Sequence, residues 1–509
     1  MHASDIDSPS RRAFLQRSAQ LAFTGAALPT VLNLAAMGDA AAFSAPDGSY
    51  KALVCIFLYG GSDYANTVVT YDDASHATYS AIRTSIAIPK TPPVNAPTTP
   101  SLVNTVLEPI TPLSNGRQYA FHPSMVDLRN LFNAGKAAVQ LNVGPLVVPI
   151  SKAQYNNNSP ANRALYPLPP KLFSHNDQQS LWQSTYPEGS TIGWGGDIGD
   201  LALSSNSNSL FTCISITGNS VFLSGDSALS YQVSTGGAVK INAANNNVYN
   251  SANVKTVIGN LLKESRSHIL ENEYNRVTKR AIDAEVAITS AIGSGTPLGT
   301  GTEFAPFVPV LSGNNLASQL KMVARLIAAR SSLGAKRQVF FVSAGNYDLH
   351  DNLLAGQAQN MTVLNNALNA FYQTTVNLGV ADKVTAFTAS DFGRTLTSNG
   401  DGSDHGWGSH HLVVGGAVNG KEFYGVAPPV SNTDTTSPND QWHVGQGRLL
   451  PTTSVDQYAG TLATWFGVNP NSVNGSVSEL DSILPNLKNF GVTANGINYP
   501  RNMGFMQAP

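Results

Sequence analysis

Residues 52–59, ALVCIFLY, form an uncharged, unbroken apolar run that ends at Gly60-Gly61. A run of that length and make-up fits a strand buried on both faces. Such a strand needs a sheet covered from both sides, and few architectures provide one. The pattern recurs in QVFFVS (338–343) and KVTAFT (383–388), with AAVQLNV at 137–143 and the shorter LVVG at 412–415. Helical periodicity lies between and beyond these runs, at 125–134, 254–292, 316–332, 353–378 and 455–466. Buried strands alternating with helices predict an α/β fold, a mostly parallel sheet with helices on both faces. Residues 43–509 are expected to form one large domain. Two insertions interrupt it, a Pro- and Thr-rich one near 90–120 and a β-rich, antiparallel one near 205–250.

The N-terminus has a separate logic. SRRAFLQ (10–16) is followed after Arg17 by an uncharged, Ala- and Leu-rich stretch from 18 to 38, then by Asp39 and Ala40-Ala41-Ala42. A basic start, an apolar middle and a small-residue site predict a signal peptide over 1–42. Arg11 and Arg12, with Phe14 and Leu15 behind them, resemble a twin-arginine export signal. The competing reading is a membrane anchor, but Gly25, Pro29 and the alanines weaken it. The expected location is therefore periplasmic or secreted, in a bacterium. The twin-arginine machinery is the partner, and no stable membrane span remains after cleavage. A net charge of −2 with scattered Lys and Arg excludes an electrostatic footprint for nucleic acid. Cys55 and Cys213 each sit in an apolar run. Two buried thiols are expected, and a single disulfide stays open.

Parallel sheets bind ligands beyond the carboxyl ends of their strands. Three strands place acids there: Asp63 after the first, Asp348 with His350 after QVFFVS, and Asp391 with Arg394 after KVTAFT. A loop holding Asp404, His405, His410 and His411 follows the third. Carboxylates and imidazoles drawn from several segments are the donors a divalent ion requires. Asp63, Asp348, His350, Asp391, Asp404, His405, His410 and His411 are thus candidate metal ligands. Asp63 also fits as a helix cap. Adjacent His410 and His411 point to opposite faces if extended, so at most one of them serves.

Ser174, in LFSHNDQQSLWQS, fits both an N-cap and a nucleophile in the positive potential of a helix N-terminus. His175 fits core, ligand or acid–base roles. Arg394 fits a substrate oxyanion clamp or a structural ion pair. His122 and His443 are held in reserve.

The segments LYGGSDYANTVV, YAFHPSM, LFSHNDQQSLWQS, FFVSAGNYDLHDN, FTASDFGRT, SDHGWGSHHLVVGGAV and GRLLPTTSVDQYAGTLATWFGV run in order from about residue 50 to 470. Together they resemble the exported bacterial family known as domain of unknown function 1501. That family in turn resembles the alkaline phosphatase and sulfatase superfamily. The resemblance implies an alkaline-phosphatase-like sheet and divalent metal (Zn, Ca, Mg or Mn). It also implies hydrolysis of a small or polymeric phosphate or sulfate ester by a Ser, Thr or formylglycine nucleophile. It matches Asp63, Asp348, His350 and Asp391 to metal ligands and Ser174 to the nucleophile. Two departures stand out. Phe392 occupies the histidine place of the S-D-H-G motif, where His405 or a later histidine would have to substitute. Asp391 stands where the family usually has Glu. The alternatives are a non-catalytic exported binding protein of the same fold, or one whose ion only stabilises it.

Overall fold

The computed structural model describes residues 49–508 apart from 239, 243–245, 248–249, 294–299 and 475–476. The signal segment 1–42 lies outside the described residues. A ten-stranded sheet forms the centre. Its strands in chain order are β1 (Lys51–Leu58), β2 (Ala137–Gly144), β3 (Cys213–Ser215), β4 (Tyr231–Ser234), β5 (Gly237–Ala238), β6 (Arg337–Ala344), β7 (Val384–Ser390), β8 (Ser409–Gly415), β9 (Phe423–Tyr424) and β10 (Thr453–Ser454). Their spatial order is β9-β2-β8-β7-β1-β6-β3-β4-β5, with β10 also on β2. Both neighbours of β1 are parallel to it, whereas β8 and β5 run antiparallel to theirs.

The first run of the sequence is the middle of this sheet. Along β1, Ala52, Val54, Ile56 and Leu58 enter one core, and Leu53, Cys55 and Phe57 enter the other. The two-residue period of a strand thus feeds both faces, which explains why the run tolerates no polar residue. Each large side chain buried there contributes roughly 1.5–3 kcal/mol.

Among the described residues the α-helices of eight residues or more are α1 (Asp73–Arg83), α2 (Val126–Asn133), α3 (His175–Ser184), α4 (Trp194–Ala202), α5 (Ala252–Leu261), α6 (Ile269–Gly293), α7 (Asn315–Ala328), α8 (Leu353–Asn377) and α9 (Val455–Phe466). Helices α2, α7 and α8, with the C-terminal half of α6, pack on the first core. Trp182 of α3, Ile198 of α4 and Tyr458 and Leu462 of α9 cover the second.

Two expectations change. The stretch near 205–250 is not a separate antiparallel insertion. β3 pairs parallel with β6, and β4 pairs parallel with β3, so they widen the main sheet. Only β4 and β5 form a hairpin. The helical pattern over 254–292 is also two helices rather than one. Asn275 donates to the carbonyls of Leu261 and Glu264, and Asn272 accepts from the N–H of Arg266. These side chains satisfy the backbone groups that the break exposes. Both cysteines are buried free thiols. Among the described residues no helix is long and apolar enough to cross a membrane.

Candidate metal centre

Leu58 of β1 stands level with Ala344 of β6 and Ser390 of β7, so the three strands end together. The chain after β7 goes straight to Asp391, which is fully buried. Its Oδ2 accepts from the N–H of Gly60 (3.1 Å), from His175 Nδ1 (2.6 Å) and from Gln179 Nε2 (2.9 Å). Its Oδ1 has no hydrogen-bond partner among the described residues. His175 and Gln179 are one turn apart on α3, so a single helix face reaches Asp391 twice. Gln179 was not picked out from sequence, although its i+4 spacing from His175 is the signal that could have found it.

Asp348 follows β6 and is 42% exposed at its side chain, which makes it the open acid of the pair. Its Oδ1 lies 3.0 Å from His350 Nε2 and 3.3 Å from His405 Nε2, and its Oδ2 lies 3.5 Å from His175 Nε2. The Nε2 atoms of His350 and His405 are 3.1 Å apart. Each ring is held through its other nitrogen. His175 Nδ1 faces Asp391, His350 Nδ1 faces Asp404 Oδ1 at 3.3 Å, and His405 Nδ1 donates to the carbonyl of Phe173 at 2.8 Å. A carbonyl can only accept, so neutral His405 carries its proton on Nδ1 and turns a bare Nε2 lone pair inward. Asp391, at 2.6 Å from His175 Nδ1 against 3.5 Å for Asp348 at Nε2, favours the same tautomer there, whereas His350 stands between Asp404 at 3.3 Å and Asp348 at 3.0 Å and can donate to either. The Nε2 lone pairs of His175 and His405 then face a carboxylate, with His350 Nε2 beside them, an arrangement that a cation or an added proton relieves. Donor atoms around a divalent ion with bonds of about 2.0–2.2 Å stand roughly 3.0–3.5 Å apart, the spacing of each imidazole from Asp348 here. One ligand atom each from His175, Asp348 and His405 lie within 4.8 Å of one another. The donor set fits a divalent metal, and the outer partners have the arrangement that orients metal-bound histidines.

The electrostatics differ from group to group. The Asp391 hydrogen bond raises the pKa of His175, against the effect of burial. Burial is the main influence on His405 and lowers its pKa. Burial pushes Asp348 up, but the bond and charge of Arg394, with His350 and His405, outweigh it and hold Asp348 below the usual carboxylate range.

Three expected ligands are placed elsewhere. Asp63 is not in the cluster. It caps the helix Tyr64–Thr67 and binds Arg83 through both oxygens, at 3.0 and 2.7 Å. The buried guanidinium of Arg83, missed in the sequence, draws it away from the strand ends. His410 and His411 lie in β8, not in a lid, and point to opposite faces. His410 accepts from the N–H of Asn142, while His411 meets Thr388 and Trp182. Burial pushes both pKa values down to about 3. Asp391 and Asp404 belong to the layer behind the histidines and do not face the centre.

The catalytic candidates also divide. His175 is in the cluster. Ser174 precedes α3, but its hydroxyl donates to Asp177 Oδ2 at 2.8 Å. Arg394 is fully buried and consumed by structure, donating to Asp348, Gly60 O, Ser403 O and Ser403 Oγ. Phe392 lies 4.8 Å from the ring of His175 and 4.7 Å from that of His405, an apolar plate against both imidazoles. His122 and His443 make local loop contacts.

Gly60 makes the junction possible. Its φ is +116°, and an added Cβ would meet the backbone nitrogen of Asp348 at 2.4 Å. Gly60→Ala is expected to destabilise the fold by about 2–3 kcal/mol and to displace Asp348, read by denaturant unfolding and cation titration.

No curated protein matches the chain. It is similar to a solved structure titled "Crystal structure of Ps i-CgsB in complex with k-i-k-neocarrahexaose", at 11% identity over 87% of this chain and 77% of that one. The TM-score of 0.31 is too low for that likeness to bear on ligand or activity. The family model described as "Protein of unknown function (DUF1501)" matches residues 50–474, and the chain belongs to that family.

Proposed function

We propose that this protein is an exported, metal-dependent hydrolase of phosphate or sulfate esters, acting in the periplasm or outside the cell. The observation that supports it is the convergence of three imidazole Nε2 atoms on Asp348 at the carboxyl end of parallel strands. His175, Asp348 and His405 would hold the ion, with His350 beside them. A bound divalent ion supplies charge stabilisation to an ester oxygen and acidifies a water. The chain's own groups do the rest. Asp391 fixes the His175 ring and keeps its proton on Nδ1. Phe173 O does the same for His405, and Asp404 holds the His350 ring at its Nδ1. Arg394 balances the charge of Asp348 while leaving Oδ2 free of the guanidinium. Phe392 keeps the space between His175 and His405 apolar. Ser174 is assigned no covalent role, because Asp177 holds its hydroxyl.

The second reading, an ion that only stabilises a binding protein, is favoured by the structural commitment of Ser174 and Arg394. The two readings separate in one experiment. Metal content is measured on the purified protein, together with turnover of aryl phosphates and aryl sulfates. Stoichiometric metal with turnover, both lost in His405→Ala, supports the hydrolase. Stoichiometric metal without turnover across the panel supports the structural ion. No retained metal ends both.

A further inference from the structure

The sequence of α6 holds a regular seam. Leu270, Tyr274, Val277, Ala281, Ala284 and Ile288 follow one another at spacings of four and three in strict alternation. That is the a/d repeat of a coiled coil, narrower than the apolar stripe of an ordinary surface helix. Its two halves have different fates. Ala284 and Ile288 are buried in the first core at 2% and 0% exposure. Leu270, Tyr274 and Val277 lie on the same line of the same helix but are 72%, 65% and 44% exposed. The seam therefore leaves the domain and continues into solvent.

The charges beside the exposed half indicate what covers it. Glu273 and Arg280 each stand one residue before a seam position, Tyr274 and Ala281. In an antiparallel pair of such helices these flanking positions face each other across the seam. A two-fold axis between Tyr274 and Val277 sets Tyr274 against Val277 of a second copy. It also sets Glu273 near Arg280 of that copy, twice over. Among the described residues Glu273 pairs along its own helix, with Arg276 at 2.8 Å. Arg280 has no ion pair among the described residues. A membrane-surface helix would instead carry Lys and Arg beside its apolar face, whereas the border here is mixed, Glu271 and Glu273 with Arg280.

We infer that the exposed half of α6 is a self-association seam, pairing antiparallel with α6 of a second copy of this chain. From Leu270 to Ala281 the seam spans only about 17 Å at 1.5 Å per residue, so the dimer is weak and concentration-dependent. This inference is independent of the chemistry proposed above.

Sedimentation velocity on the purified protein tests it. A monomer–dimer equilibrium is expected. Tyr274→Glu should abolish it without changing thermal unfolding or metal content, because that side chain lies outside the core. Glu273→Arg should raise the dimer dissociation constant by about tenfold, and adding Arg280→Glu should restore it. A protein that stays monomeric at every accessible concentration overturns the inference. So does a dimer indifferent to Tyr274→Glu, or a monomer that binds phosphatidylglycerol–phosphatidylcholine vesicles through this face. Failure of Arg280→Glu to rescue Glu273→Arg overturns the antiparallel two-fold register.

Discussion

Asp63→Ala is expected to lower the stability of the fold by about 3–5 kcal/mol while leaving cation content unchanged. The carboxylate is 1% exposed and Arg83 is fully buried. Their two parallel hydrogen bonds are what keep the guanidinium tolerable in that place. Removing the acid leaves a buried cation with neither water nor counter-charge. The loss reflects that penalty, not the net worth of the pair, so Asp63→Ala combined with Arg83→Met should recover much of it. Denaturant unfolding gives the stability and metal analysis gives the content. If cation content falls while stability holds, the assignment of Asp63 to structure is wrong.

Asp391→Asn is expected to weaken cation binding by about 10–100-fold, or roughly 1.4–2.7 kcal/mol, although Asp391 faces no ion itself. The amide can keep its oxygen where Oδ2 now accepts from Gly60, His175 and Gln179. It cannot keep the negative charge that raises the basicity of His175. Burial of the carboxylate makes that charge count for more than it would at the surface. Gln179→Ala removes only a neutral donor and should cost far less, about 1 kcal/mol. Chelator-competition titration ranks the variants. Equal affinity in wild type and Asp391→Asn would remove Asp391 from the support of the centre.

The sheet was readable because β1, β6 and β7 are buried on both faces, so their composition alone marks them. The segment 205–250 was harder. β3 and β4 have three and four residues, too short for composition to reveal which edge they join. At the centre, Asp348, His350 and His405 were legible because acids and imidazoles near strand ends are rare in so lightly charged a chain. Asp63 was misplaced because its partner Arg83, twenty residues on, closes back upon it from α1. His410 and His411 were misplaced because a strand begins at Ser409, two residues after Trp407, and carries both into the core. The Phe173 carbonyl that fixes the His405 tautomer is backbone, and its residue has a positive φ of 72° that no side-chain pattern announces.

The central position of β1 has a kinetic consequence. Gly60 and Asp391, joined by a hydrogen bond, are 331 residues apart, and His175 is 216 from Asp391. The earliest described strand thus waits for neighbours supplied by the last third of the chain, a high-contact-order topology that slows folding. No truncated or half-synthesised chain ending before Asp391 can assemble the cluster of His175, Asp348 and His405. Under the function proposed above, cation capture would be a late event, and a signal that the whole sheet has closed.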